Sequence, residues 1–243
     1  MADGLTARQT QLLKALIDEY IATAEPVGSF SLEKKYDLGI SSATIRAEMV
    51  NLTRSGFLRQ PHTSAGRVPT PRAMKFYIDQ LMDEKQMSLV DEVKAKEEVW
   101  DARSNFDELM EEATHALAEK TNSIAISATD EGDTWSSGYS HIFQNPEFAV
   151  NFRACQQVFA LLEEYRRIHE LFFERLTGSP IEVLFGEELG WDYFEPVGVV
   201  ATRFSAANRR GAIGVIGPFR LNYPTIIPTV RYFGNLISEL AQA

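Results

Sequence analysis

The chain has 243 residues, 44% hydrophobic and 24% charged, with a net charge of −10, enough to bury a core of one or two domains. No apolar run approaches ~18 residues, so no membrane-spanning helix is expected, and the single cysteine, Cys155, excludes an intrachain disulfide framework. The opening "MADGLTARQTQLL" lacks a basic segment followed by an apolar one, so no secretory leader is expected and a cytoplasmic location is.

"TARQTQLLKALIDEYIAT" opens with Thr6 and has Gln9 three positions on, the pattern of a capping box. Leu12, Leu13, Leu16, Ile17, Tyr20 and Ile21 then lie on one face of a helix. Pro26 ends it, because the residue before a proline is driven out of the helical region. A short second helix is predicted from Ser29, and "DLGIS" leads to Ser41 or Ser42 as the cap of a third. In "ATIRAEMVNLTRS" Ile45, Met49 and Leu52 face inward, while Thr44, Arg46, Ala47, Asn51 and Arg54 lie outward and on the flanks. Gly56 ends that helix, "FLRQ" predicts a brief strand, and "RVPT" predicts its return partner.

Between those strands stands "PHTSAGRVPT", with two prolines and Gly66 expected to shape a turn and Arg67 expected at its tip. Three helices followed by a two-stranded ribbon predict a winged helix-turn-helix, in which the last helix enters the DNA major groove. Charge agrees with this. Residues 1–78 carry 10 Lys+Arg against 7 Asp+Glu, whereas residues 79–243 carry 14 against 27. A basic head on an acidic body suggests an anionic partner for the head alone. Base-edge contacts are expected from Ser41, Ser42, Thr44, Arg46, Ala47 and Asn51, with Arg46 suited to a guanine. Phosphate contacts are expected from Arg54, Arg59 and Arg67, supported by Thr63, Ser64 and the loop around Gly66. His62 is expected either to approach a phosphate or to cap the turn.

The segments "EPVGS", "SSATIRAEM" and above all "PHTSAGRVPT" resemble the N-terminal domain of the HrcA family of heat-inducible transcription repressors. The resemblance implies a homodimer that binds an inverted-repeat, CIRCE-type operator upstream of chaperone genes and represses them. It also implies the GroE chaperonin as a partner that keeps the repressor active. Ala47 departs from the asparagine usual in that family; asparagine can pair with adenine and alanine cannot, so a shifted operator preference is expected.

From Thr70 the chain is predicted helical again, first with Met74, Tyr77, Ile78, Leu81 and Met82 in one stripe. One long stretch from about 89 to 120 follows, either a connector or a dimerisation helix. Beyond Asn122, "SIAIS" predicts a strand and "TDEGDTWSSG" a loop. "NFRACQQVFALLEEYRRIHELFFERL" predicts one amphipathic helix with Phe152, Cys155, Phe159, Leu162, Ile168, Leu171, Phe172 and Leu176 along its apolar side. "IEVLFG", "VGVVATRF" and "GAIGVIG" predict strands, the last two joined across "SAANRR", and a helix from about Pro224 to Leu240 closes the chain.

"GYSHIFQNPEF" and "GAIGVIGPFRLNYPTIIPTVRYFGNLISEL" resemble the C-terminal part of the same family. The resemblance implies a GAF-like body, shortened here because only "SATDEGDTWSSG" occupies the place of an inserted dimerising segment. The expected organisation is therefore α+β: a winged-helix domain over 1–70, a helical connector over 71–120, and a truncated GAF-like domain with a mainly antiparallel sheet over 121–243.

The glycines of "GAIGVIG" have the wrong spacing for a dinucleotide loop and predict a closely packed strand. Cys155 on an apolar helix face predicts a buried small hydrophobe rather than a nucleophile. The four histidines lack metal-ligand spacing. No cofactor, metal or catalytic residue is expected. A second reading remains open: a winged-helix regulator whose GAF-like body senses a small metabolite in a pocket between the sheet and the 151–176 helix.

Overall fold

The computed structural model describes residues 4–206 and 209–241. They form two compact units, residues up to Asp83 and residues from Glu84 onward.

In the first unit, α1 (Ala7–Thr23), α2 (Ser29–Lys35) and α3 (Ser42–Arg54) are followed by β1 (Leu58–Arg59) and β2 (Val68–Pro69), paired antiparallel. The capping box at α1 forms in full: Thr6 Oγ1 accepts from Gln9 N at 3.3 Å, and Gln9 Oε1 accepts from Thr6 N at 3.0 Å. Ile45, Met49 and Leu52 are buried, as their spacing requires. Gly56, at φ +77°, supplies the left-handed residue that ends α3. Its N–H donates to Thr53 O and the Phe57 N–H to Leu52 O, the paired bonds of a Schellman motif. Thr70 then caps α4 (Pro71–Phe76), which runs into one π-helical turn over 77–81.

A carboxylate is buried in this unit. Glu19 accepts from Lys35 Nζ, and Ser31 Oγ and Tyr36 OH lie 3.5 and 3.4 Å from it. Burial and the nearby Glu19 charge push the Tyr36 hydroxyl up to about 12. Burial and donation to Asp18 Oδ1 at 2.6 Å raise the Tyr77 hydroxyl as well. Both folded values exceed the ordinary ~10, so the stability they contribute is whole below pH ~10 and is lost as pH rises toward 12. The thermal midpoint of this unit should fall across that window, and a Tyr36→Phe variant should fall less; equal falls would exclude Tyr36 as a cause.

The second unit is an antiparallel five-stranded sheet in the order β4-β3-β7-β6-β5, built from β3 (Ile124–Thr129), β4 (Thr134–Ser137), β5 (Glu182–Phe185), β6 (Val197–Ala206) and β7 (Arg209–Pro218). Helices cover both of its faces. α6 (Phe106–Thr121) and α11 (Tyr223–Leu240) cover one face, where Thr114 Oγ1 on α6 meets Ser127 Oγ on β3 at 2.6 Å, and α5 (Leu89–Trp100) packs against α6 and α11. The opposite layer comprises α7 (Pro146–Val150), α8 (Phe152–Glu163) and α9 (Tyr165–His169). α10 (Gly186–Leu189) follows β5. Because both faces are covered, all six residues of β3 are buried and its pattern is not alternating. Ala207 and Asn208, in the predicted β6–β7 connection, lie outside the described residues.

Three predicted elements differ. "TDEGDTWSSG" is not a loop throughout: Thr134–Ser137 pairs with β3 as β4, and Trp135 packs edge-on to Phe106 with centroids 5.9 Å apart. The acidic residues that suggested a loop form the tight turn of this hairpin, where the Thr129 hydroxyl accepts from Asp133 N. The stretch from 89 to 120 is two helices, because Asn105 leaves the helical region and caps α6. It is also divided from 71–82, which folds with the first unit. The predicted helix over 151–176 breaks at Glu164, and Phe152, the first residue of α8, is 73% exposed instead of buried along its side. The space between the sheet and α8–α9 is filled by Cys155, Val158, Leu161, Leu171 and Phe172. Burial raises the Cys155 thiol, which keeps it protonated.

Pro228 lies inside α11, where a proline leaves the carbonyl four residues before it without its helical donor. That carbonyl belongs to Pro224, and it accepts instead from Lys85 N at 2.7 Å. Beside it, Arg231 holds Glu84 through two bonds of 2.8 Å. The ion pair lowers the Glu84 carboxyl below the usual range.

Candidate nucleic-acid interface

The outer side of α3 and the β1–β2 loop carry the residues expected to meet an anion. Arg46, Arg54 and Arg59 are exposed, and none has a protein partner among the described residues. A guanidinium left in water offers five donors and a permanent charge. His62, Thr63 and Ser64 are exposed in the loop. Ala47 is exposed on the outer side of α3, between Arg46 and Asn51.

The start of α3 is more occupied than its sequence suggests. Ser41 Oγ caps the helix by accepting from Thr44 N, and it lies 3.1 Å from Thr44 Oγ1. Ser42 N donates to Glu33 Oε1 at 2.9 Å. Of the amides in the first turn, only that of Ala43 is left without an acceptor among the described residues. Asn51 is also engaged: its Nδ2 donates to Glu48 Oε2 at 3.3 Å, and the same oxygen accepts from Gln9 Nε2 at 3.0 Å. A carboxylate only accepts, so this contact commits the Asn51 amide nitrogen and leaves its carbonyl oxygen facing away from Glu48.

Arg67 is not at the loop tip. Its backbone pairs with Val27 through two bonds of 2.8 Å, and its Nε donates to Thr53 Oγ1 at 3.1 Å, which places it half-buried at the base of the ribbon against α3. Gly66 owes its identity to the same contact. A Cβ there would collide with the Val27 carbonyl and lie 2.7 Å from the Pro26 oxygen, so close approach rather than an unusual turn excludes a side chain.

Sequence reasoning missed Gln60. Its Nε2 donates to Thr63 O at 2.9 Å and to Ala65 O at 3.0 Å, and Ala65 N closes a turn on His62 O. One side-chain amide therefore organises the loop. Its signal, a glutamine just before the loop, is indistinguishable from any polar residue after a strand. Glu33, Glu48 and Thr53 were missed for the same reason. Their roles depend on partners in other elements.

The profile of the HrcA protein C terminal domain matches residues 64–227. The heat-inducible transcription repressor HrcA of Carboxydothermus hydrogenoformans is 26% identical over 334 residues, covering 96% of this chain and 97% of that protein. That span exceeds the 243 residues present here, so the relative carries residues without a counterpart in this chain. The HrcA repressor of Acetivibrio thermocellus is 43% identical over 123 residues, which is 51% of this chain and 32% of that protein. Several relatives of this kind are thus matched over about a third of their length. A crystal structure of a hypothetical protein superposes with a TM-score of 0.73 at 18% identity, covering 97% of this chain and 98% of that one. It shows a shared fold.

Proposed function

The chain belongs to the HrcA family, and from that membership we propose that it represses transcription by binding an inverted-repeat, CIRCE-type DNA operator as a homodimer, without catalysis. The observation that carries this reading is the row of solvent-facing arginines on α3 and β1, none of them spent on a carboxylate among the described residues. In this reading the first unit is a winged helix and α3 its recognition helix. Ser41, Ser42, Thr44, Arg46, Ala47 and Asn51 face base edges, with Arg46 donating to a guanine. Arg54, Arg59, His62, Thr63 and Ser64 meet phosphates on either side. Arg67 braces the wing on Thr53, with its remaining donors available to the backbone of DNA. The second unit acts as a GAF-like regulatory body in shortened form. The genes controlled are those of heat-shock chaperones, and GroE is the partner that tunes activity.

Fluorescence anisotropy with an inverted-repeat duplex and a scrambled one tests this. Specific binding should be tighter by at least ~10³-fold. Arg46→Ala should lose roughly 10- to 100-fold on the operator, the worth of one paired base contact, and little on the scrambled duplex. Arg59→Ala should weaken both duplexes and reduce the salt slope by about one. Equal affinity for both duplexes at every salt concentration would refute the repressor reading.

A further inference from the structure

α5 is apolar on two sides. Ala95 and Val99 on its inner side are buried within the body. On its outer side Leu89, Val90, Val93 and Trp100 are 80, 64, 55 and 41% exposed. At about 100° per residue, Leu89, Val93 and Trp100 fall in one stripe. They stand beside a groove of about 510 Å³ lined by Val93, Lys96, Glu97, Trp100 and Asp101. A helix apolar on two separate sides is suited to burial on both.

We propose that this outer side of α5 is the contact between two copies of the chain, packed antiparallel about a two-fold axis. The inference deepens the homodimer reading by giving it a surface. Charge selects the occupant. Lys94, Glu97 and Asp101 stand on one shoulder of the stripe, and in an antiparallel helix pair equal shoulders face each other. The register that sets Val93 of one copy on Trp100 of the other also sets Lys94 beside Glu97 and Asp101. Neither Glu97 nor Asp101 has an ion-pair partner among the described residues. A patch carrying both signs is self-complementary, which an isologous interface requires. Trp100 is held in place, since the Arg103 guanidinium lies 4.4 Å over its ring. Ordered aromatics of this kind anchor interfaces.

Sedimentation velocity of the full chain at micromolar concentration, with duplex binding read in parallel, decides it. The wild type should be a dimer. Val93→Glu should be a monomer; the position is more than half exposed, so the fold tolerates the change. Lys94→Glu should weaken association by about tenfold, and adding Glu97→Lys and Asp101→Lys should restore it. Phe143→Glu, at another exposed apolar residue of the body, should leave the dimer intact. A monomeric wild type, a dimeric Val93→Glu, or loss of the dimer in Phe143→Glu would each overturn the proposal. A monomeric wild type that still binds duplex removes this interface and spares the DNA reading; a dimer that binds no duplex does the reverse.

Discussion

Gly66→Ala is expected to detach the β1–β2 loop. The added methyl group meets the Val27 carbonyl and lies 2.7 Å from the Pro26 oxygen, both backbone atoms that no rotamer change can move. Relief requires opening the Val27–Arg67 pair, whose two 2.8 Å bonds fasten the loop to the segment after α1. Overpacking costs about 1–3 kcal/mol, and two lost backbone bonds add about 1–2 kcal/mol. The first unit should therefore lose about 3 kcal/mol, measured by denaturant titration of its transition. Arg67 would lose its station on Thr53, and duplex affinity should fall by at least ~10-fold through the loss of pre-organisation. Wild-type stability together with wild-type affinity would mean that residues 26 and 27 withdraw without cost.

Gly186→Ala should have an effect at least as large in the body. A methyl group at this position falls on the carbonyl of Phe194, with the Phe194 Cβ 3.0 Å away. That carbonyl accepts from Val197 N at 2.8 Å, the first residue of β6, and the Phe194 ring is fully buried against Trp191. Displacing it disturbs a central strand and a core aromatic together, a loss of about 3–4 kcal/mol. For a unit of this size each kcal/mol moves the midpoint by ~2–4 °C, so calorimetry should show the body melting roughly 10 °C lower. A wild-type melting profile would show that the turn at 191–197 relaxes freely.

What the sequence made legible was local. The capping box at Thr6, the inward spacing of Ile45, Met49 and Leu52, the turn at Gly56 and the strand of "GAIGVIG" each depend on residues within one element. The parts that escaped depend on distant partners. Gly66 looks like a turn glycine, yet its constraint comes from Val27. Arg67 looks like a loop tip until Val27 and Thr53 draw it inward. Asn51 reads as a free base contact because nothing local reveals that Gln9, on α1, holds Glu48 beside it. The break at Glu164 has no glycine or proline to announce it, and the strand at Thr134–Ser137 was masked by the acidic turn before it. Gly186 carried no signal at all, since its neighbour Phe194 is placed by the fold.

The missing hydrogen at Pro228 ties two distant positions to one acceptor. An acceptor that an ordinary residue would have claimed is ceded to Lys85. Any other residue at 228 brings a rival donor, and a proline at 85 would strand the acceptor altogether. The penalty for changing both positions should therefore differ from the sum of the separate penalties. Lys85 and Pro228 should thus behave as an epistatic pair, written by a residue that usually interrupts helices.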